Sequence, residues 1–134
     1  MRKGLTSQDS DAYREIISII DRSRENAHRA VNRELISMYW EIGEYISNKV
    51  KNGGWGKSVV TDFSRFIQNE RPDLKGFSAS NVWRMYQFND AYCGDEKLAA
   101  LSREISWSNN LQIMARAKSR EARKFYLLLA QKMS

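Results

Sequence analysis

The apolar positions recur at helical spacing along almost the whole chain. From about Ser10 to Val50, Tyr13, Ile16, Ile17 and Ile20 form one stripe, and Ala27, Val31, Leu35, Met38, Ile42 and Ile46 form a second. The segment between them, Asp21–Asn26, is polar all round and predicts a kink, a break or an exposed middle. An unbroken helix of ~40 residues would be ~60 Å long, more than one small domain covers, so it would fold back or pair with another chain. Gly43 weakens the second stripe as a helix and predicts a close approach of a neighbouring helix there.

Lys51–Gly56, with three glycines around Trp55, reads as a loop. A second helix is predicted over Lys57–Glu70, with Val59, Val60, Phe63, Phe66 and Ile67 inward and Pro72 as its stop. Arg71–Phe77 is a turn containing Gly76. Ser78 or Ser80 then caps a third helix that runs to about Cys93 and ends in a left-handed cap at Gly94. Shorter helices are predicted over Glu96–Leu101, Ser108–Ala117 and Ser119–Lys132. Only Arg103–Trp107 hints at the alternation of a strand. The fold class is therefore all-α: one domain over 1–134, with a helical arm (1–52), a helix-turn-helix core (53–102) and basic C-terminal helices (103–134).

Composition narrows the function classes. The 134 residues are 42% hydrophobic and 28% charged, the balance of a globular domain, and fifteen aromatics supply bulky core material. The longest apolar run, Phe125–Ala130, is far below the ~18 residues of a membrane span, so no membrane partner is expected. The first residues carry charge without an apolar stretch behind it, unlike a secretory signal, and point to the cytoplasm. A single cysteine (Cys93) and a single histidine (His28) leave no internal disulfide or Cys/His zinc site, and no cofactor is expected. Cys93 reads as a core or boundary residue, His28 as a solvated one.

Charge is unevenly spread. Residues 103–134 hold seven basic and two acidic residues, +5 of the net +6. A basic end on a near-neutral body suits a polyanion, most often nucleic acid, although a solvated helix face would look the same. On a wheel, the third helix puts Val82, Met85, Tyr86, Phe88 and Tyr92 on one side and Ser80, Arg84, Gln87 and Ala91 on the other, with Trp83 at the flank. A guanidinium and an amide one turn apart are what a major-groove helix uses to read guanine and adenine. An ordinary wet helix face would have the same appearance. Of the four tryptophans, Trp55 and Trp83 are candidate surface contacts, while Trp40 and Trp107 read as core.

Two motifs suggest enzymes and fail on inspection. Gly56-Lys57-Ser58 closes a Walker A pattern, but Lys51 stands where the pattern needs glycine and no strand precedes it. Lys57 at a helix start could still grip one phosphate. Pro72-Asp73 followed by Asp95-Glu96-Lys97 imitates a metal nuclease signature, yet Asp73 lies in a turn and Asp95 follows a helix-ending glycine, with no strand pair to join them at a metal.

The runs Ala30-Val31-Asn32 and Tyr39-Trp40-Glu41-Ile42-Gly43 resemble the N-terminal region of the YhcG-type PDDEXK nuclease family. So do Gly54-Trp55-Gly56-Lys57, Leu74-Lys75-Gly76-Phe77-Ser78, Asn81-Val82-Trp83-Arg84-Met85 with Phe88, and Glu104-Ile105-Ser106-Trp107-Ser108, all in order from about residue 12 onward. The resemblance implies a helical, winged-helix-like module that binds DNA and precedes a C-terminal PD-(D/E)-x-K nuclease domain. This chain ends inside an apolar helical pattern, as one interrupted at a domain boundary would, so nuclease activity and its metal are not expected within it.

The expectation is thus a non-catalytic, DNA-binding module that positions a separate nuclease domain on double-stranded DNA. Ser80, Arg84 and Gln87, with Ser78 and Trp83 beside them, would face the groove. Lys57, Lys75, Arg116, Lys118, Arg120, Arg123 and Lys124 would contact phosphates. The alternative is a helical interaction domain that forms a homodimer through residues 10–50, with no direct DNA contact.

Overall fold

The computed structural model describes residues 6–133. Among these, six helices form: α1 (Ser7–Asn52), α2 (Lys57–Glu70), α3 (Ala79–Tyr92), α4 (Glu96–Ser102), α5 (Trp107–Arg116) and α6 (Arg120–Met133). No strand occurs among the described residues, so the fold is all-α and the wing implied by the resemblance has no counterpart in them. Residues 103–106 form a turn leading into α5, which Trp107 begins, and no strand forms there; Ile105 alone of that alternation is buried.

The chain divides into two units within α1, one reaching Val31 and one starting at Asn32. In the first, Thr6 and Asp9 cap the helix reciprocally: the Asp9 amide donates to Thr6 Oγ1 at 3.1 Å, and the Thr6 amide donates to the Asp9 carboxylate at 3.5 Å. The polar segment Asp21–Asn26 stays helical, and all of residues 11–31 are exposed. It is the exposed middle, not the break.

The second unit is built around α3. Val82, Met85, Phe88 and Tyr92 are fully buried, each worth about 1.5–3 kcal/mol of transfer from water. From the C-terminal half of α1, Ile36, Tyr39, Gly43 and Ile46 are buried at steps of three and four residues. Trp40 meets Phe88 edge-on at 5.5 Å, and Trp107 reaches both Phe88 (5.3 Å) and Tyr39 (4.6 Å), which joins α1, α3 and α5 in one aromatic cluster. The side chain of Asn32 donates to the carbonyls of Arg103 and Ile105, and Arg33 grips Glu104 with two nitrogens at 2.8 and 2.9 Å. Residues 32–52 thus belong to the core-bearing unit rather than to a separate arm.

Side-chain caps set the helix starts. Ser78, Asp95 and Ser106 each accept the amide three residues on, from Asn81, Leu98 and Asn109. Gly94 ends α3 at φ +86°, as the sequence predicts. The connection between α2 and α3, residues 71–78, is longer than the 3–4-residue turn of a tight helix-turn-helix. It is held by Ser64 Oγ, which donates to the Phe77 carbonyl at 2.6 Å, and by Asn81, which donates to the Gly76 carbonyl at 2.6 Å and accepts from the Trp107 indole at 2.8 Å. One inward expectation is corrected: Phe66 is 64% exposed, because α2 turns only the side bearing Val60 and Ser64 inward. Of the two readings of Cys93, core is ruled out, since it is exposed just past the last turn of α3.

Candidate nucleic-acid interface

Because α3 buries Val82, Met85 and Phe88, its opposite side must face outward, and Ser80, Arg84 and Gln87 are all exposed. α5 packs against α3 and repeats the arrangement: Ile113 and Asn110 point in, while Ser108, Gln112 and Arg116, four residues apart, lie outward. Between the two outer faces runs a cleft of about 710 Å³, lined by Arg84 and Gln87 from α3, Ser108, Gln112 and Arg116 from α5, and Lys118 and Arg123 beyond it. On the other side of α3 a depression of about 270 Å³ is lined by Lys57 and Thr61 of α2 with Ser80, Trp83, Arg84 and Gln87. Arg84 and Gln87 are shared by both.

The residues lining these two hollows include five cations and no carboxylate. None of the five takes part in an ion pair among the described residues. Three are positioned by other contacts. Arg123 Nε donates to the Ala117 carbonyl at 2.9 Å with its guanidinium 5.7 Å over the Tyr92 ring. Lys118 Nζ donates to the Met114 carbonyl at 3.2 Å, and Lys57 Nζ stands 5.7 Å over Trp83. Eight of the twelve residues expected at the interface therefore come together: Lys57, Ser80, Trp83, Arg84, Gln87, Arg116, Lys118 and Arg123.

The other four lie elsewhere or serve the fold. Ser78 spends its hydroxyl on the α3 cap. Lys75 is exposed in the turn, beside a fork in which Arg71 holds Asp73 at 2.8 and 2.9 Å and keeps that carboxyl below its ordinary pKa. Arg120 donates to Asp95 at 2.6 Å, tying α6 to the start of α4. That bond, and then the one from the Leu98 amide, hold the Asp95 carboxyl below its usual range. Lys124 meets Lys97, whose proximity lowers the Lys124 ammonium pKa. A charge count along α6 does not distinguish these residues from Arg123, because only the packing of α6 on both α4 and α5 decides which side each one takes. Ser108 and Gln112 were absent from the expected set, although their spacing with Arg116 carries the signal.

Of the two candidate tryptophans, Trp83 lines the smaller hollow, whereas Trp55 lies with Ile42, Tyr45 and Phe63 in an apolar groove of about 390 Å³. Among the described residues, no group of three or more His, Cys, Asp or Glu side chains is arranged to hold a metal ion, and no helix is long and apolar enough to cross a membrane.

No curated protein and no solved structure matches this chain. The family comparison does match, to the DUF1016 N-terminal domain over residues 15–134, which spans all six helices apart from the first turns of α1. The chain belongs to the DUF1016 family as its N-terminal domain, the helical module of the YhcG-like PDDEXK nucleases.

Proposed function

We propose that this domain binds double-stranded DNA through the α3–α5 cleft and, without catalysis of its own, positions the family's nuclease domain on it. One observation carries the reading. Five cations, from α2, α3, the end of α5, the α5–α6 connection and α6, line two hollows that share Arg84 and Gln87, and no acidic side chain is among the lining residues. Backbone phosphates would take the lysines and the flanking arginines, while Arg84 and Gln87, on the outer face of a rigidly packed helix, are the pair suited to base edges. Base contact from α3 needs no β wing. The cytoplasm is the compartment this reading implies.

Fluorescence anisotropy of labelled duplex, single-stranded and branched DNA at two salt concentrations tests it. Duplex binding should weaken with a log–log salt slope of about −3 to −5 if three to five cations each displace a counterion. A folded protein that fails to bind any of the three at low salt would overturn the proposal.

A further inference from the structure

The N-terminal unit presents an apolar stripe with an order of its own. At about 100° per residue, Asp9, Ile16, Ile17, Ile20 and Arg24 share one sector of α1 about 100° wide. Ile16, Ile17 and Ile20 are 54%, 55% and 47% exposed, and Ile19 at the edge of the stripe is 48% exposed. Singly such residues are unremarkable on a surface, but four isoleucines within five positions form a contiguous patch.

We infer that a second copy of this chain docks on that stripe, antiparallel, about a two-fold axis between Ile16 and Ile17. The stripe is self-complementary about that point. Residue i then faces residue 33 − i of the other copy, so Ile16 meets Ile17, and Asp9 meets Arg24 at each end of the contact. A two-fold interface requires a patch that matches itself on reversal, and this one does in both apolarity and charge. The parallel arrangement would set Arg24 against Arg24 and Asp9 against Asp9 in the same seam, which like-charge repulsion disfavours. The C-terminal half of α1 takes no part, since Ile36, Tyr39, Gly43 and Ile46 are already buried within the chain's own core. The contact is therefore confined to about residues 9–24, well short of the whole 10–50 segment.

Sedimentation equilibrium of the whole chain over a wide concentration range tests this. The wild type should behave as a dimer, and Ile17→Asp with Ile20→Asp should give a monomer with unchanged helical circular dichroism, because neither side chain belongs to the core. A wild type that stays monomeric at the highest concentration, or a dimer that survives the double change, overturns the proposal. Arg24→Asp should weaken association roughly tenfold or more, and Asp9→Asn, which keeps an acceptor for the Thr6 amide, should weaken it as well. An Arg24→Asp variant that associates as tightly as the wild type overturns the antiparallel register. None of these residues lines the α3–α5 cleft, so DNA affinity per monomer reports separately on the proposed function.

Discussion

Gly43 faces the main chain of Met85 so closely that a Cβ built on the glycine would lie 2.0 Å from the Met85 carbonyl oxygen. The atom in the way is backbone, which cannot swing aside like a side-chain tip. An alanine in a helix ordinarily gains about 1 kcal/mol over glycine. Here Gly43→Ala should instead destabilise by about 1–3 kcal/mol or more, as α1 is pushed off α3. Urea denaturation gives the sign directly, and a stabilised variant would mean that the two helices part easily.

Ser78 was a candidate DNA contact in the sequence, and its hydroxyl proves to be the α3 cap. Ser78→Ala should cost about 1 kcal/mol of stability. Measured on folded protein, its duplex affinity should match the wild type. A selective loss of binding without a loss of stability would return Ser78 to the interface.

The shared wall of the two hollows predicts a division of labour. Arg84→Ala should weaken binding to a preferred site by about 1–3 kcal/mol and flatten its preference over random duplex. Arg116→Ala and Lys118→Ala should weaken all duplexes alike and each reduce the salt slope by about 1. Arg120→Gln, whose guanidinium is held by Asp95, should leave the slope unchanged. Parallel anisotropy titrations of the four proteins separate these outcomes.

Acid should loosen the joint between α4 and α6. The folded Asp95 carboxyl has a lowered pKa, first because Arg120 bonds it and then because of the Leu98 amide. The stabilisation is thus fully present above the ordinary aspartate pKa of the unfolded chain, near 3.9, and is lost as pH falls through the lowered folded value. Asp95→Asn keeps a competent cap but abolishes the titration. The gap between wild type and Asp95→Asn in urea midpoint should be larger at pH 6 than at pH 3, and a gap that ignores pH would show that the ion pair contributes nothing.

Much of the fold was legible because its signals are local. The start of α3 follows from one of two candidate capping serines, its end from Gly94, and the close helix approach from Gly43, whereas the Asp95 and Ser106 caps of α4 and α5 are not singled out by the pattern. The inner and outer sides of α3 followed from its periodicity, which placed Arg84 and Gln87 outward with Val82, Met85 and Phe88 buried. What a wheel cannot supply is the neighbour. Arg120, Arg123 and Lys124 look alike in sequence, yet Asp95, the Ala117 carbonyl and Lys97 give them different surroundings. Phe66 misled for the same reason, since an apolar residue beside an inner face stays outside when no second helix reaches it.

The stacking of Lys57 over Trp83 has an optical consequence. An indole changes its emission when the charge above it is moved or neutralised, and Trp83 lies in the hollow where a phosphate would draw on that ammonium. Trp40 and Trp107 are packed against the buried aromatic cluster and Trp55 lies in the separate apolar groove, so these three supply the background. Occupancy of the smaller hollow can therefore be followed through the protein's own fluorescence, with Trp83→Phe as the blank and no dye attached to either partner.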